Sequence, residues 1–296
     1  MPSDQLTIGV FDSGFGGLTV LRELLPLLPA SRYIYLGDTA RLPYGSKSRE
    51  TIARYAVSSA RYLHEQGADL LVVACNTATA LALEDIEQAL TIPVIGVIQP
   101  GAEAALHANH KNWVPHLCDG SIVAKVGEAP QASTESHVLV LATHATIQSH
   151  AYAHALHALG LDATEKACPL LVPLVEEGWT NHPVTDEVLK IYLTEALAEA
   201  PAARTLLLGC THYPLLEPAL RRVLTALGHP LTIIDSAHAT ARATARAVAT
   251  HFPDLSPVAE PACTFYATDS IEKFQRLGSA FLGRPLAKVN LLDLGG

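Results

Sequence analysis

The sequence predicts an α/β protein built from two similar parallel-sheet domains related by pseudo-symmetry, with the active site in the cleft between them. Three observations carry that prediction. Apolar runs of strand length alternate with stretches of helical period, and the alternation restarts near Val138 after a segment with no clear period. Each half also contains one apolar run that stops at a cysteine, VVACNTAT around Cys75 and LLLGCTHYP around Cys210. Open α/β sheets place their chemistry at the carboxyl ends of strands, so the economical reading is two thiols facing one another across one substrate.

Taken in order, the first half reads as strand Thr7–Phe11, helix Gly17–Leu28, strand Tyr33–Leu36, helix Ser48–Gln66, strand Leu70–Ala74, helix Thr77–Leu90 and strand Val94–Val97. The second half repeats the order. It reads as strand Val138–Ala142, helix Ile147–Leu159, a weaker strand near Thr164–Ala167, helices within Val172–Ala198, strand Thr205–Leu208, helix Pro214–Leu227 and strand Leu231–Ile234. From Asp12 to Cys75 is 63 positions and from Thr143 to Cys210 is 67, and each cysteine precedes a helix and then a strand led by Pro93 or Pro230. A helix at Ala239–Thr250, a strand near Thr264–Ala267 and a helix at Ser270–Phe281 follow, and most simply return to complete the first domain. The expected domains are therefore 1–98 plus 238–296, and 99–237 with an inserted loop at 107–136 that is rich in His, Pro, Gly and Ser.

Composition narrows the function classes. The chain has 296 residues, 49% of them hydrophobic and 17% charged, which suits a well-buried globular protein. A net charge of −9 without a Lys/Arg-rich stripe argues against a nucleic-acid surface. The amino terminus lacks a basic, then apolar leader, and no run of about 18 apolar residues appears, so a cytoplasmic protein with no membrane partner is expected. Five cysteines without a CxxC indicate free thiols rather than a disulfide framework or zinc ribbon. Cys118, Cys168 and Cys263 read as small buried hydrophobes.

Cys75 and Cys210 differ because each follows a strand, precedes a helix N-terminus that favours a thiolate, and has polar neighbours in Asn76, Thr77, Thr211 and His212. GVFDSGFGGLTV lacks the GK[ST] of a phosphate loop and the GxGxxG spacing. Its glycines instead allow a tight turn that leaves Asp12 and Ser13 at the strand end, where a carboxylate suits an ammonium ligand. Pro43-Tyr44-Gly45 marks a turn whose N–H groups form a carboxylate nest, and Thr143 and Thr146 stand at the matching strand end of the second half. His150, His154 and His157 fall at i, i+4 and i+7 but have no acidic or Cys partner in a metal-ligand spacing, so no metal is expected.

Through FDSGFGGLTV, GDTARLPYG, ACNTAT, ATHATIQS, CPLLVPLVEEG, GCTHYPLL and IDSA the chain resembles the glutamate racemases of the aspartate/glutamate racemase superfamily. The resemblance implies a cofactor-independent interconversion of L- and D-glutamate that supplies D-glutamate for peptidoglycan, with Cys75 and Cys210 as two bases serving the D and L enantiomers respectively. It implies that Asp12, Ser13, Tyr44, Gly45, Asn76, Thr77, Thr143, Thr146, Thr211 and His212 hold substrate or tune the thiols. Asp12, Glu176 and His212 join the cysteines as catalytic candidates, and a homodimer is among the arrangements the family uses. Asp12 lies too near the start for the N-terminal extension of relatives activated by UDP-N-acetylmuramoyl-alanine, so activator independence is expected. An aspartate racemase, a thiol-disulfide or metal protein, and a non-catalytic amino-acid-binding module are the rival readings.

Overall fold

The protein, in a computed structural model that describes residues 5–110, 137–253, 261–286 and 288–295, contains two sheets in which every strand pair is parallel. The chain runs β1 (Thr7–Asp12), α1 (Leu18–Leu27), β2 (Arg32–Gly37), α2 (Arg49–Glu65), β3 (Leu70–Val73), α3 (Asn76–Ala89), β4 (Val94–Gly96) and α4 (Ile98–His110). It continues with β5 (His137–Ala142), α5 (His144–Gln148), α6 (Ala151–Ala158), β6 (Asp162–Ala167), α7 (Leu171–Glu176), α8 (Pro183–Glu199), β7 (Thr205–Gly209), α9 (Glu217–Ala226) and β8 (Thr232–Asp235). The remainder is α10 (Ser236–His251), β9 (Cys263–Ala267), α11 (Ile271–Leu282) and β10 (Val289–Leu291).

The first sheet has the order β10-β9-β2-β1-β3-β4 and the second β6-β5-β7-β8. Parallel strands buried on both faces need apolar residues at every position rather than in alternation. The middle of β1 follows this, with Ile8 and Val10 packed towards α1 and Phe11 towards the core formed with α2 and α3. The first of these cores continues into the second sheet through Leu139, Leu141, Leu206 and Leu208, so the two sheets share apolar packing. α10 leaves the second sheet and packs along α1 and α4. After it, β9 pairs with β2 and β10 with β9, returning the chain to the first sheet.

Three local differences from the sequence reading have physical causes. The helix expected over Ile147–Leu159 breaks at His150, whose φ of 53° is left-handed. Glu165 holds the break by accepting from the Ala153 N–H at 3.3 Å and meeting His150 Nδ1 at 2.8 Å, so the His150, His154 and His157 series is interrupted. α4 had no sequence assignment because Pro100 and Gly101 punctuate its start, yet a proline in the first turn of a helix gives up no hydrogen bond. It reaches His110, inside the segment read as an insertion. Positions 111–136, and Cys118 with them, lie outside the described residues.

Candidate active site

Both sheets reverse their winding at the strands that bear the site. β1 leads outward to β2 while β3 leads the opposite way to β4, and β5 and β7 repeat this towards β6 and β8. A crevice opens at such a switch point. In the first sheet it falls at Asp12, Ser13 and Cys75, in the second at Thr143 and Cys210. Phe11 pairs with Val73 and Ala142 with Gly209, so Ser13 is level with Cys75 as Thr143 is with Cys210. The internal correspondence is therefore Ser13 to Thr143, one place along from the Asp12 to Thr143 spacing read in the sequence.

The two strand ends meet. Thr77, at the start of α3, has its hydroxyl 3.0 Å from that of Thr143 and 3.2 Å from that of Thr146, which themselves stand 2.9 Å apart. Gly45 lies against Thr143, and Gly16 against Thr211 and His212. Tyr152 on α6 reaches across to donate to Asn76 Oδ1 at 2.6 Å, which turns the Asn76 amide nitrogen to the other side. That nitrogen and Asp12 Oδ1 are buried without a hydrogen-bond partner in the protein, one a donor and the other an acceptor. Such groups are costly unless a ligand completes them.

The thiols sit in unlike surroundings. Cys75 caps α3, accepting from the Ala78 N–H at 3.4 Å, and its thiol lies 3.4 Å from Ser13 Oγ. Burial, with the Asp12 charge adding to it, pushes the Cys75 thiol up to about 11, against the hydrogen bonds from Ser13 and Ala78. Cys210 was expected to precede a helix N-terminus as Cys75 does. Instead Pro214 and Pro218 divide the following chain into a single 3-10 turn, Tyr213–Leu216, and then α9, so only a short turn stands behind this thiol. Burial pushes it above the ordinary thiol range, opposed by the His212 N–H, and the Cys75 charge raises it further.

His212 completes the second side. Its Nδ1 is 3.9 Å from Cys210 Sγ, and its Nε2 is 3.4 Å from Glu176 Oε1, close enough for an ion pair but not aligned as a hydrogen bond. Burial raises the Asp12 carboxyl, while His212 and the N–H groups of Gly14 and Gly17 oppose the rise. Asp12 Oδ2 accepts from Gly14 at 2.8 Å, leaving Oδ1 as the open oxygen. A cavity of about 660 Å³ opens between segments of the two units, lined in part by Phe15, Gly45, Thr143, Glu176 and Lys273; neither thiol is in its lining, and Glu176 links it to His212.

The tertiary structure thus gathers Asp12, Ser13, Cys75, Asn76, Thr77, Thr143, Thr146, Glu176, Cys210, Thr211, His212 and Gly45 along the facing strand ends. Tyr44 is near but differently employed, since its hydroxyl donates to Asp38 Oδ2 at 2.5 Å and its ring is buried. Sequence reasoning passed over Asp38. This buried carboxylate one residue beyond β2 also binds Arg41 and Thr268, and the strand-end rule that found Asp12 applies to it equally. Tyr152 carried no signal, being one apolar-face residue of a helix. Among the described residues no three His, Cys, Asp or Glu side chains gather as metal ligands, and no helix is long and apolar enough to cross a membrane.

The sequence pattern of the Asp/Glu/Hydantoin racemase family matches residues 8–114 and 121–244. The chain belongs to that family. It is an isomerase of the amino-acid racemase kind. A glutamate racemase of Koribacter versatilis is 47% identical over the whole of both chains, and one of Geobacter metallireducens is 42% identical over 97% of this chain and 96% of that one. Among solved structures, glutamate racemase from Francisella tularensis in complex with D-glutamate superposes with a TM-score of 0.82, at 32% identity and 98% coverage of each chain. These similarities extend across both sheets and the strand ends between them.

Proposed function

We propose that the chain interconverts L- and D-glutamate without a cofactor, by proton transfer between Cys75 and Cys210, and that its product supplies peptidoglycan synthesis in the cytoplasm. One observation carries the reading: two thiols at equivalent switch points of facing sheets, with an open carboxylate oxygen on Asp12 and an open amide N–H on Asn76 beside them. An amino acid supplies the complementary pair, an ammonium for Asp12 and a carboxylate for Asn76. The similarity to proteins named glutamate racemases, one of them solved in complex with D-glutamate, supports that side chain over aspartate.

Inversion at an α-carbon requires a proton to leave one face and another to arrive on the opposite face. A thiolate takes the α-proton, the electron pair spreads into the substrate carboxylate, and the opposing thiol gives its proton to the other face and becomes the thiolate. The proton count is unchanged, with the charge moved from one sulfur to the other. Because burial pushes both thiols up, the substrate's ammonium is the cation that makes one thiolate tolerable in the closed cleft. Asn76, Thr77, Thr143 and Thr211 are the donors disposed to stabilise the developing enolate charge.

The deciding experiment incubates the chain with L-glutamate in deuterated water without added cofactor, following optical rotation and α-deuteration together. Rotation decaying to zero with deuterium entering Cα is expected. Tight binding of glutamate without exchange would make the chain a binding module instead, and activity lost to a chelator and restored by one metal would return the metal reading.

A further inference from the structure

We propose that Lys273, on α11, is a positioning residue for the half of the proton transfer that runs through Cys210, holding Glu176 so that His212 is presented to the thiol. The inference rests on the two-base reading above. Lys273 Nζ lies 3.0 Å from Glu176 Oε2, while the other oxygen, Oε1, faces His212 Nε2 at 3.4 Å and His212 Nδ1 faces Cys210. One carboxylate is therefore gripped from both sides.

The grip crosses the cleft. Glu176, His212 and Cys210 belong to segments around the second sheet, whereas α11 packs on α1 and β10 of the first. The same helix braces His212 directly, since the Phe281 ring meets the imidazole edge-on with centroids 5.0 Å apart. Lys273 is itself steadied over the Phe15 ring, 5.5 Å from its centroid, in the loop that follows β1. Cys75 has no such dependence, because Ser13 and Ala78 belong with it to the first sheet. The acid/base apparatus of Cys210 is thus complete only when the first-sheet unit is closed upon it.

Other charges face Glu176 as well. Asp12 acts across the cleft, and Glu177 and Asp269 line the same cavity. Burial is the largest influence on the Glu176 carboxyl and raises it, yet His212 and Lys273 together hold it below its ordinary range. Without the lysine the carboxylate is free to rotate to solvent at the cleft mouth.

The test uses the full chain with Lys273→Met and Lys273→Arg, assayed with α-deuterated L- and D-glutamate. Folding is not at stake, since the Lys273 side chain is 43% exposed, and a thermal melt checks it. Lys273→Met should lower kcat/KM about tenfold or more. That loss must be equal in both directions, because the enantiomers are equal in free energy. The primary isotope effect should rise for the enantiomer whose α-proton Cys210 removes and fall for the other. Lys273→Arg, which keeps the cation, should recover most of the activity. Unchanged kinetics in Lys273→Met, isotope effects that shift alike for both enantiomers, or a Lys273→Arg as impaired as Lys273→Met would each overturn the proposal. A wild-type chain that does not exchange the α-proton would instead remove the racemase reading beneath it.

Discussion

The hydroxyl of Thr77 stands 3.0 Å from that of Thr143, joining the helix that follows one thiol to the strand end beside the other. With Thr146 it forms a triangle of hydroxyls in which one member always has a proton or lone pair to spare for a ligand. Thr77→Val keeps the shape and removes one corner. It should lower kcat/KM by about tenfold or more, the scale of a lost donor to developing charge, while costing only about 1 kcal/mol of stability. Steady-state kinetics beside chemical denaturation measures both, and a stability loss without a kinetic one would make the triangle purely structural.

Cys75→Ser and Cys210→Ser should each reduce racemisation by about 10²–10⁴-fold, since each removes the acid/base group of one face. Both variants should still bind glutamate by calorimetry, because the open oxygen of Asp12 and the open N–H of Asn76 remain. Turnover near that of the wild type in either variant would end the two-base assignment.

Ionisation of Cys75 should occur well above the ordinary thiol value of about 8.5, with a midpoint near 11 in the unliganded chain. Thiolate absorbance of the wild type minus that of Cys75→Ser isolates this step. Because the folded chain keeps the neutral thiol, stability is intact below the unfolded pKa of about 8.5 and falls as pH climbs towards 11. Wild type should lose more stability than Cys75→Ser across that window, and a midpoint at or below 8.5 would contradict the buried, cation-poor site.

Gly16→Ala tests the closed contact between the sheets. A Cβ there would come within 2.1 Å of Thr211 Oγ1 and 2.8 Å of His212 Nδ1, too near for either to stay in place. The variant should fold with a cooperative melt yet lose about a hundredfold or more in kcat/KM through misplacement of His212. Activity within threefold of wild type would mean that the two units separate during turnover without cost.

Much of the fold was legible because parallel, doubly buried strands leave continuous apolar runs such as Leu70–Val73 and Thr205–Gly209, and amphipathic helices separate them. The thiols were legible for the same reason, since a polar or reactive residue that ends such a run lies at the carboxyl end of a buried strand, where the chain leaves the sheet. Less local features escaped. The break at His150 depends on Glu165 from the neighbouring strand, and the unlike backing of Cys210 depends on how two prolines share out a turn and a helix.

By itself the sequence determined the α/β class, the internal repeat and the two cysteines at strand ends, because periodicity and burial act over a few neighbouring residues. The tertiary structure alone decided which side chains meet across the cleft: Thr77 with Thr143, Tyr152 with Asn76, and Lys273 with Glu176, 97 positions away in the chain. Those contacts join segments that no local pattern relates. They exist because two independently wound sheets bring their switch points together, and that encounter also fixes the charge and burial each thiol experiences.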